Sequence, residues 1–153
     1  MTALLLPFLL LSQAAPMASA VMHPSPAARP APVSVTVVVS ALASTQSVVK
    51  LNFYNTSDAF LKDGKQVMRL VVHPAGKNTI TVPVELAPGE WAVALTQDTN
   101  NNDYLDKNFL GIPTEPYAFS NNVRPRFAAP KFEECKFMVS EPGLVVNIAL
   151  KEK

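Results

Sequence analysis

From Val33 onward, apolar and polar residues alternate one for one along most of the chain, and amphipathic helical spacing hardly occurs. A period of two sends successive side chains to opposite faces of a strand, so each such run predicts a half-buried β-strand. Val33, Val35, Val37 and Val39 share one face, with Ser34, Thr36 and Ser40 opposite. Val49, Leu51 and Phe53 alternate with Lys50, Asn52 and Tyr54. Ile80, Val82, Val84 and Leu86 alternate with Thr79, Thr81, Pro83 and Glu85. Proline has no N–H for a ladder, so Pro83 predicts an edge strand or a bulge. Val67 to His73 is apolar enough for a more buried strand. Trp91, Val93 and Leu95 follow the turn Ala87-Pro88-Gly89, in a phase that sends Trp91 to the core. Cys135, Phe137 and Val139 predict one more strand and Leu144, Val146, Ile148 and Leu150 another, with Pro142-Gly143 between them as a hairpin-like turn. Ser57 to Leu61 reads as one helical turn with Ser57 as N-cap.

Seven strands joined by Gly/Pro turns predict an all-β fold over residues 33–153. The expected architecture is a seven-stranded immunoglobulin/transthyretin-like β-sandwich with one long ordered loop.

The rhythm stops between Leu95 and Cys135, and a long insertion in a compact domain is usually functional or organised around something. The stretch Asp98-Thr99-Asn100-Asn101-Asn102-Asp103-Tyr104-Leu105-Asp106 offers an organiser. Counting Asp98 as position 1, side-chain oxygens of Asp98, Asn100, Asn102 and Asp106 fall at positions 1, 3, 5 and 9, and the Tyr104 carbonyl at 7. Calcium takes six to eight oxygens, and this spacing curls them inward around a hard cation. Glu115 is a more distant further ligand. Position 6 is Asp103 where glycine is usual, position 12 is Phe109 rather than a bidentate glutamate, and no helices flank the loop. An EF-hand sensor is therefore excluded, and so few charges imply affinity on the order of 10⁻⁴ to 10⁻³ M. The competing reading is a loop of Asx turns whose side chains bond their own backbone. Beyond it, Tyr104, Phe109, Tyr117 and Phe119 form either the loop's own miniature core or an aromatic-lined groove for a partner.

Charge changes the picture at the N-terminus. The first 32 residues hold six of the 14 prolines and one charged side chain, Arg29. Ala3 to Leu11 is an apolar run, and Ala18-Ser19-Ala20 is a small-residue cleavage pattern. Residues 1–20 thus read as a secretory signal peptide and 21–32 as a Pro/Ala-rich extended spacer. The run is too short to span a bilayer, so no transmembrane segment is expected after cleavage. The expected location is periplasmic or secreted. The rest of the chain balances 12 acidic against 12 basic residues, which excludes an electrostatic nucleic-acid binder. Cys135 is the only cysteine, so no intramolecular disulfide forms. Its phase, shared with Phe137 and Val139, predicts a small buried apolar residue.

Further motifs carry a family resemblance. Pro88-Gly89-Glu90-Trp91-Ala92-Val93, Gln97-Asp98-Thr99-Asn100-Asn101-Asn102, Asn108-Phe109-Leu110-Gly111-Ile112-Pro113-Thr114-Glu115 and Tyr117-Ala118-Phe119-Ser120-Asn121 together resemble the bacterial domain-of-unknown-function 2141 family. Ser57-Asp58-Ala59-Phe60-Leu61 and Pro130-Lys131-Phe132-Glu133 agree with it too, so the resemblance covers about Val33 to Lys151. Three positions depart from the family pattern: Gln97 stands for a histidine, Asp103 for a glycine and Ala118 for a glycine. The resemblance implies an exported β-sandwich and brings no established activity.

The functional expectation is a non-enzymatic binding or structural module with a calcium-organised loop, contacting a protein or glycan through Phe109, Tyr117 and Phe119. One alternative is a hydrolase using the carboxylates Asp98, Asp106 and Glu115 around an activated water. No Ser-His-Asp or metal–histidine set accompanies them. Another is a carbohydrate-binding accessory of the cell envelope with Trp91 as platform, against which the inward phase of Trp91 argues.

Overall fold

A computed structural model describes residues 30–126 and 128–150. The expected signal peptide and most of the spacer lie outside them. Valine at every second position builds β1 (Val33–Ser40), with Val35, Val37 and Val39 fully buried. It pairs antiparallel with β4 (Ile80–Leu86) and parallel with β8 (Leu144–Ala149), in the order β4-β1-β8. Pro83 sits opposite Thr36 on β4, an edge strand, where proline is tolerated.

The larger sheet runs β3 (Met68–Val72), β2 (Val48–Tyr54), β5 (Gly89–Asp98), β6 (Tyr117–Phe119). β7 (Phe137–Val139) pairs with the start of β5, from Gly89 to Trp91, and β6 with its later part, from Ala94 to Thr96. In the break between them the Ser120 hydroxyl accepts the Val93 N–H at 2.9 Å. The inner faces of both sheets share one core, to which β2 contributes Val49, Leu51 and Phe53 and β5 contributes Trp91, Val93 and Leu95. The Trp91 indole N–H donates to the Ala87 carbonyl at 2.8 Å, so the ring is a core residue and no platform.

β5 is buried on both faces because a second apolar cluster covers part of the outer face of this sheet. Phe60 is its centre, 5.4 Å from the Tyr54 ring and 5.8 Å from Phe132 on the short helix α1 (Phe132–Cys135). This cover leaves the other end of the outer face to the loop of residues 99–116.

Several expectations are corrected. Among the described residues the strands number eight, because β6 lies inside the expected loop. Val67 and Val71 are 54 % and 52 % exposed, since β3 is an edge strand and not a more buried one. Cys135 is buried, as its phase implies, but ends α1 and does not begin β7. Pro142-Gly143 joins strands of different sheets and is no hairpin. Ser57 to Leu61 forms consecutive turns, closed by the Phe60 N–H on the Ser57 carbonyl, with no regular helix. No helix among the described residues is long and apolar enough to cross a membrane.

Candidate functional site

Lys50 and Asp98 lie on the outer face of the larger sheet, alternating with the core positions of β2 and β5. The Lys50 ammonium is 2.7 Å from Asp98 Oδ2 and 2.7 Å from Asp103 Oδ1. Burial works against the charge on Lys50, but hydrogen bonds and attraction from Asp103 and Asp98 overcome it and raise its pKa. Burial likewise opposes the Asp98 carboxylate, yet Lys50 and the Asp103 and Asn102 amides hold it below the usual range.

From Asp98 the chain folds back on that carboxylate. Asp98 Oδ1 accepts the Asn102 N–H at 3.1 Å and Oδ2 the Asp103 N–H at 2.8 Å. Asn100 Oδ1 accepts the Asn102 N–H, and Asn102 Oδ1 the Tyr104 N–H at 2.9 Å, two successive Asx turns. At the far end, buried Glu115 accepts the Thr99 N–H at 2.8 Å and the Asp106 N–H at 3.4 Å. Asp103 adopts φ 69°, the left-handed backbone for which glycine is usual, and its side chain reaches Lys50.

The expected calcium ligands therefore fall into two groups. Asp98 is engaged by Lys50 and two amides. Asn100, Asn102 and Asp106 converge on the exposed side of the loop, with the Asn Nδ2 atoms 2.7 to 3.1 Å from the Asp106 carboxylate. An ion there fits only after both amides turn over, because nitrogen rather than oxygen faces Asp106. Tyr104 is largely exposed and Glu115 is committed to the loop backbone. No group of three or more His, Cys, Asp or Glu side chains suited to a metal occurs among the described residues.

Gln97, which stands where the family pattern has histidine, points into the core and staples the segment after β1. Its Oε1 accepts the Ala43 and Ser44 N–H groups at 2.8 and 3.2 Å. Its Nε2 donates to the Ser44 and Ser47 carbonyls. Burial, with Glu134 nearby, pushes the Cys135 thiol up to about 11, which keeps it an unreactive thiol.

Between the loop and the Phe60 cluster lies a cleft of about 570 Å³. Asn52, Ala94 and Thr96 form its floor, Tyr117 and Phe119 line it from β6, and Leu105, Leu110 and Ile112 wall it from the loop. Two of the three expected partner contacts, Tyr117 and Phe119, are thus in one cleft, and the third, Phe109, stands outside it. Phe109 rides a built turn: Asn108 Oδ1 accepts the Leu110 and Ile112 N–H groups, each at 3.0 Å, and the Asn108 carbonyl accepts the Gly111 N–H at 2.9 Å. The turn holds Phe109 95 % and Leu110 67 % exposed. The loop's aromatics do not close into a miniature core.

Lys50 is the site residue that sequence reasoning misses. Its only trace in the sequence is a lysine on the outward phase of β2, and only the β2–β5 register reveals its partner. No curated protein and no solved structure matches the chain. The profile of the DUF2141 family, described as uncharacterized protein conserved in bacteria, matches residues 37–147, from the middle of β1 into β8. With most of the chain matched and the family's loop motif built as one hydrogen-bonded unit, the protein belongs to this bacterial family.

Proposed function

We propose that this is a non-enzymatic binding module of an exported, periplasmic or secreted protein. An immunoglobulin/transthyretin-like sandwich serves as scaffold, and the 99–116 loop presents the contact surface to a protein or glycan. The observation that carries the reading is Phe109, held almost wholly in water by a turn with four hydrogen bonds of its own. Exposed apolar side chains grouped together, here Phe109, Leu110 and Ile112 on one turn, form the kind of patch that marks interaction sites. Asp98 and Glu115 bond the loop backbone through both oxygens, which leaves the hydrolase reading without a free carboxylate pair. For a glycan partner, half-buried Tyr117 replaces Trp91 as the aromatic surface.

A melting-temperature screen of envelope-derived proteins and glycans, run with wild type and Phe109→Ser, tests the reading. A ligand that stabilises wild type and loses its effect on Phe109→Ser supports it. Hits indifferent to Phe109→Ser and to Tyr117→Ala sink it, as does turnover of an ester or glycan that Asp98→Ala abolishes. The mass of the exported product tests cleavage after Ala20.

A second reading keeps calcium, on the exposed Asp106 carboxylate toward which Asn100 and Asn102 already turn. Turning over both amides would give an ion three side-chain oxygens, completed by water and loop carbonyls. An ion held at 100 times its dissociation constant stabilises by about 2.7 kcal/mol. An unchanged melting temperature at millimolar calcium removes this reading.

A further inference from the structure

The cleft beside the exposed turn is uneven in charge. Leu61, Leu105, Leu110, Ile112 and Phe119 make its walls apolar, while Lys107 and Arg126 line it and, among the described residues, no carboxylate does. Neither cation forms a salt bridge among the described residues, although Lys50, Arg69 and Lys136 all do. Both side chains are exposed, and two positive groups beside an apolar-walled recess attract an anion more strongly than they would on an open surface. The volume, about 570 Å³, is that of a small-molecule site.

The floor decides what kind of anion. It is the face of a hydrogen-bonded sheet, whose β2, β5 and β6 backbone groups are paired with one another. An extended peptide would find few backbone partners there, whereas an alkyl chain needs none. Beyond the side chains of Asn52, Tyr54, Thr96 and Tyr117, a sugar would leave its hydroxyls facing aliphatic walls unpaired.

We propose that this cleft binds a medium-chain fatty acid, its alkyl chain over Ala94 and between Leu105, Ile112 and Phe119, its carboxylate held by Lys107 and Arg126. This goes beyond the protein or glycan contact: the cleft shares Tyr117 and Phe119 with that surface, but Phe109, which carries the contact reading, does not line it, so Phe109→Ser tests the one and Lys107→Gln/Arg126→Gln the other.

Calorimetric titration of the full chain with sodium dodecanoate and with dodecyltrimethylammonium, both below their micellar concentrations, tests it. These probes share a chain length and differ in charge. Dodecanoate is expected to bind wild type, to bind the Lys107→Gln/Arg126→Gln double variant about tenfold more weakly or worse, and to outbind the cationic probe. Thr96→Trp, which fills the floor, is expected to abolish binding. Equal binding of the two probes, undiminished binding to either variant, or no binding of dodecanoate by wild type overturns the proposal. Should the double variant lose its β-rich circular dichroism, the Thr96→Trp result and the probe comparison on wild type decide.

Discussion

The Lys50 ammonium and the Asp98 carboxylate meet at 2.7 Å on the diagonal of the β2–β5 pairing, where Lys50 lies opposite Thr96 and Asp98 opposite Val48. Both side chains are almost wholly removed from solvent. The same carboxylate accepts the Asn102 and Asp103 N–H groups, and the same ammonium reaches Asp103. One cation thus joins the sheet to the start of the loop that carries the exposed turn and one wall of the cleft.

Removing that cation leaves a buried carboxylate supported by two amides alone. Lys50→Met is expected to destabilise the fold by about 3 kcal/mol, the lower end for breaking a buried ion pair, because Asp103 closes the pair near the surface. Asp98→Asn should cost less, since an amide keeps an acceptor for one loop N–H. Urea unfolding of both single variants and the double variant measures this. A Lys50→Met loss within about 0.5 kcal/mol, the range of an ordinary surface substitution, would show that the pair anchors nothing.

The pair also sets the pH response. The Asp98 carboxyl is held below its ordinary value in the folded state, so its contribution is complete above the unfolded value of about 3.9 and disappears as pH falls through the folded value. Lys50 is raised, so its contribution is complete below about 10.4 and disappears as pH climbs through the folded value. Stability should therefore hold level between these limits and fall at both ends. Urea midpoints across acidic pH should drop less steeply for Asp98→Asn than for wild type. Parallel profiles would mean that Asp98 does not titrate as an anchored carboxylate.

The strands with four alternating apolar positions are legible in the sequence, since β1, β4 and β8 carry the period over six to eight residues. Pro83 even declares its edge. β6 and α1 escape because three or four residues are too few to show a period, and Ala118 makes a weak inward mark. The loop's chemistry is half legible. Asp and Asn at alternate positions serve an ion and an Asx turn alike, and what separates them is a lysine 48 residues away in sequence, brought there by strand register. The cleft is illegible for the same reason, since its floor, walls and cations come from segments between Asn52 and Pro130.

Gln97 predicts a local effect with a global cost. Gln97→Ala takes the partner from two N–H groups and two carbonyls of residues 43–47, part-buried except at Ser47, so a loss of about 2 kcal/mol is expected. Amide exchange at Ala43 and Ser44 should accelerate more than exchange at Val37. Gln97→His, the family's residue, restores at most two of the four bonds through its two ring nitrogens and should fall between wild type and alanine. Equal exchange at Ala43 in all three proteins would remove the staple from the account.

Phe109 and Phe60 are both loop aromatics, and they should respond to substitution in opposite ways. Phe60 packs against Tyr54, Phe119 and Phe132, so Phe60→Ala opens a cavity in the outer cluster and should cost about 3 kcal/mol or more. Phe109 is 95 % exposed, so Phe109→Ser should leave the urea midpoint within about 0.5 kcal/mol of wild type. The turn beneath it is a separate matter. Gly111 holds φ 76°, and Gly111→Ala should loosen the turn by about 1 kcal/mol without touching the core, because alanine rarely adopts that backbone. If Phe109→Ser instead destabilises as Phe60→Ala does, the ring is packed in solution and the displayed contact surface is lost. If it is neutral to stability and weakens capture of a partner, folding and recognition are carried by different aromatics of one domain.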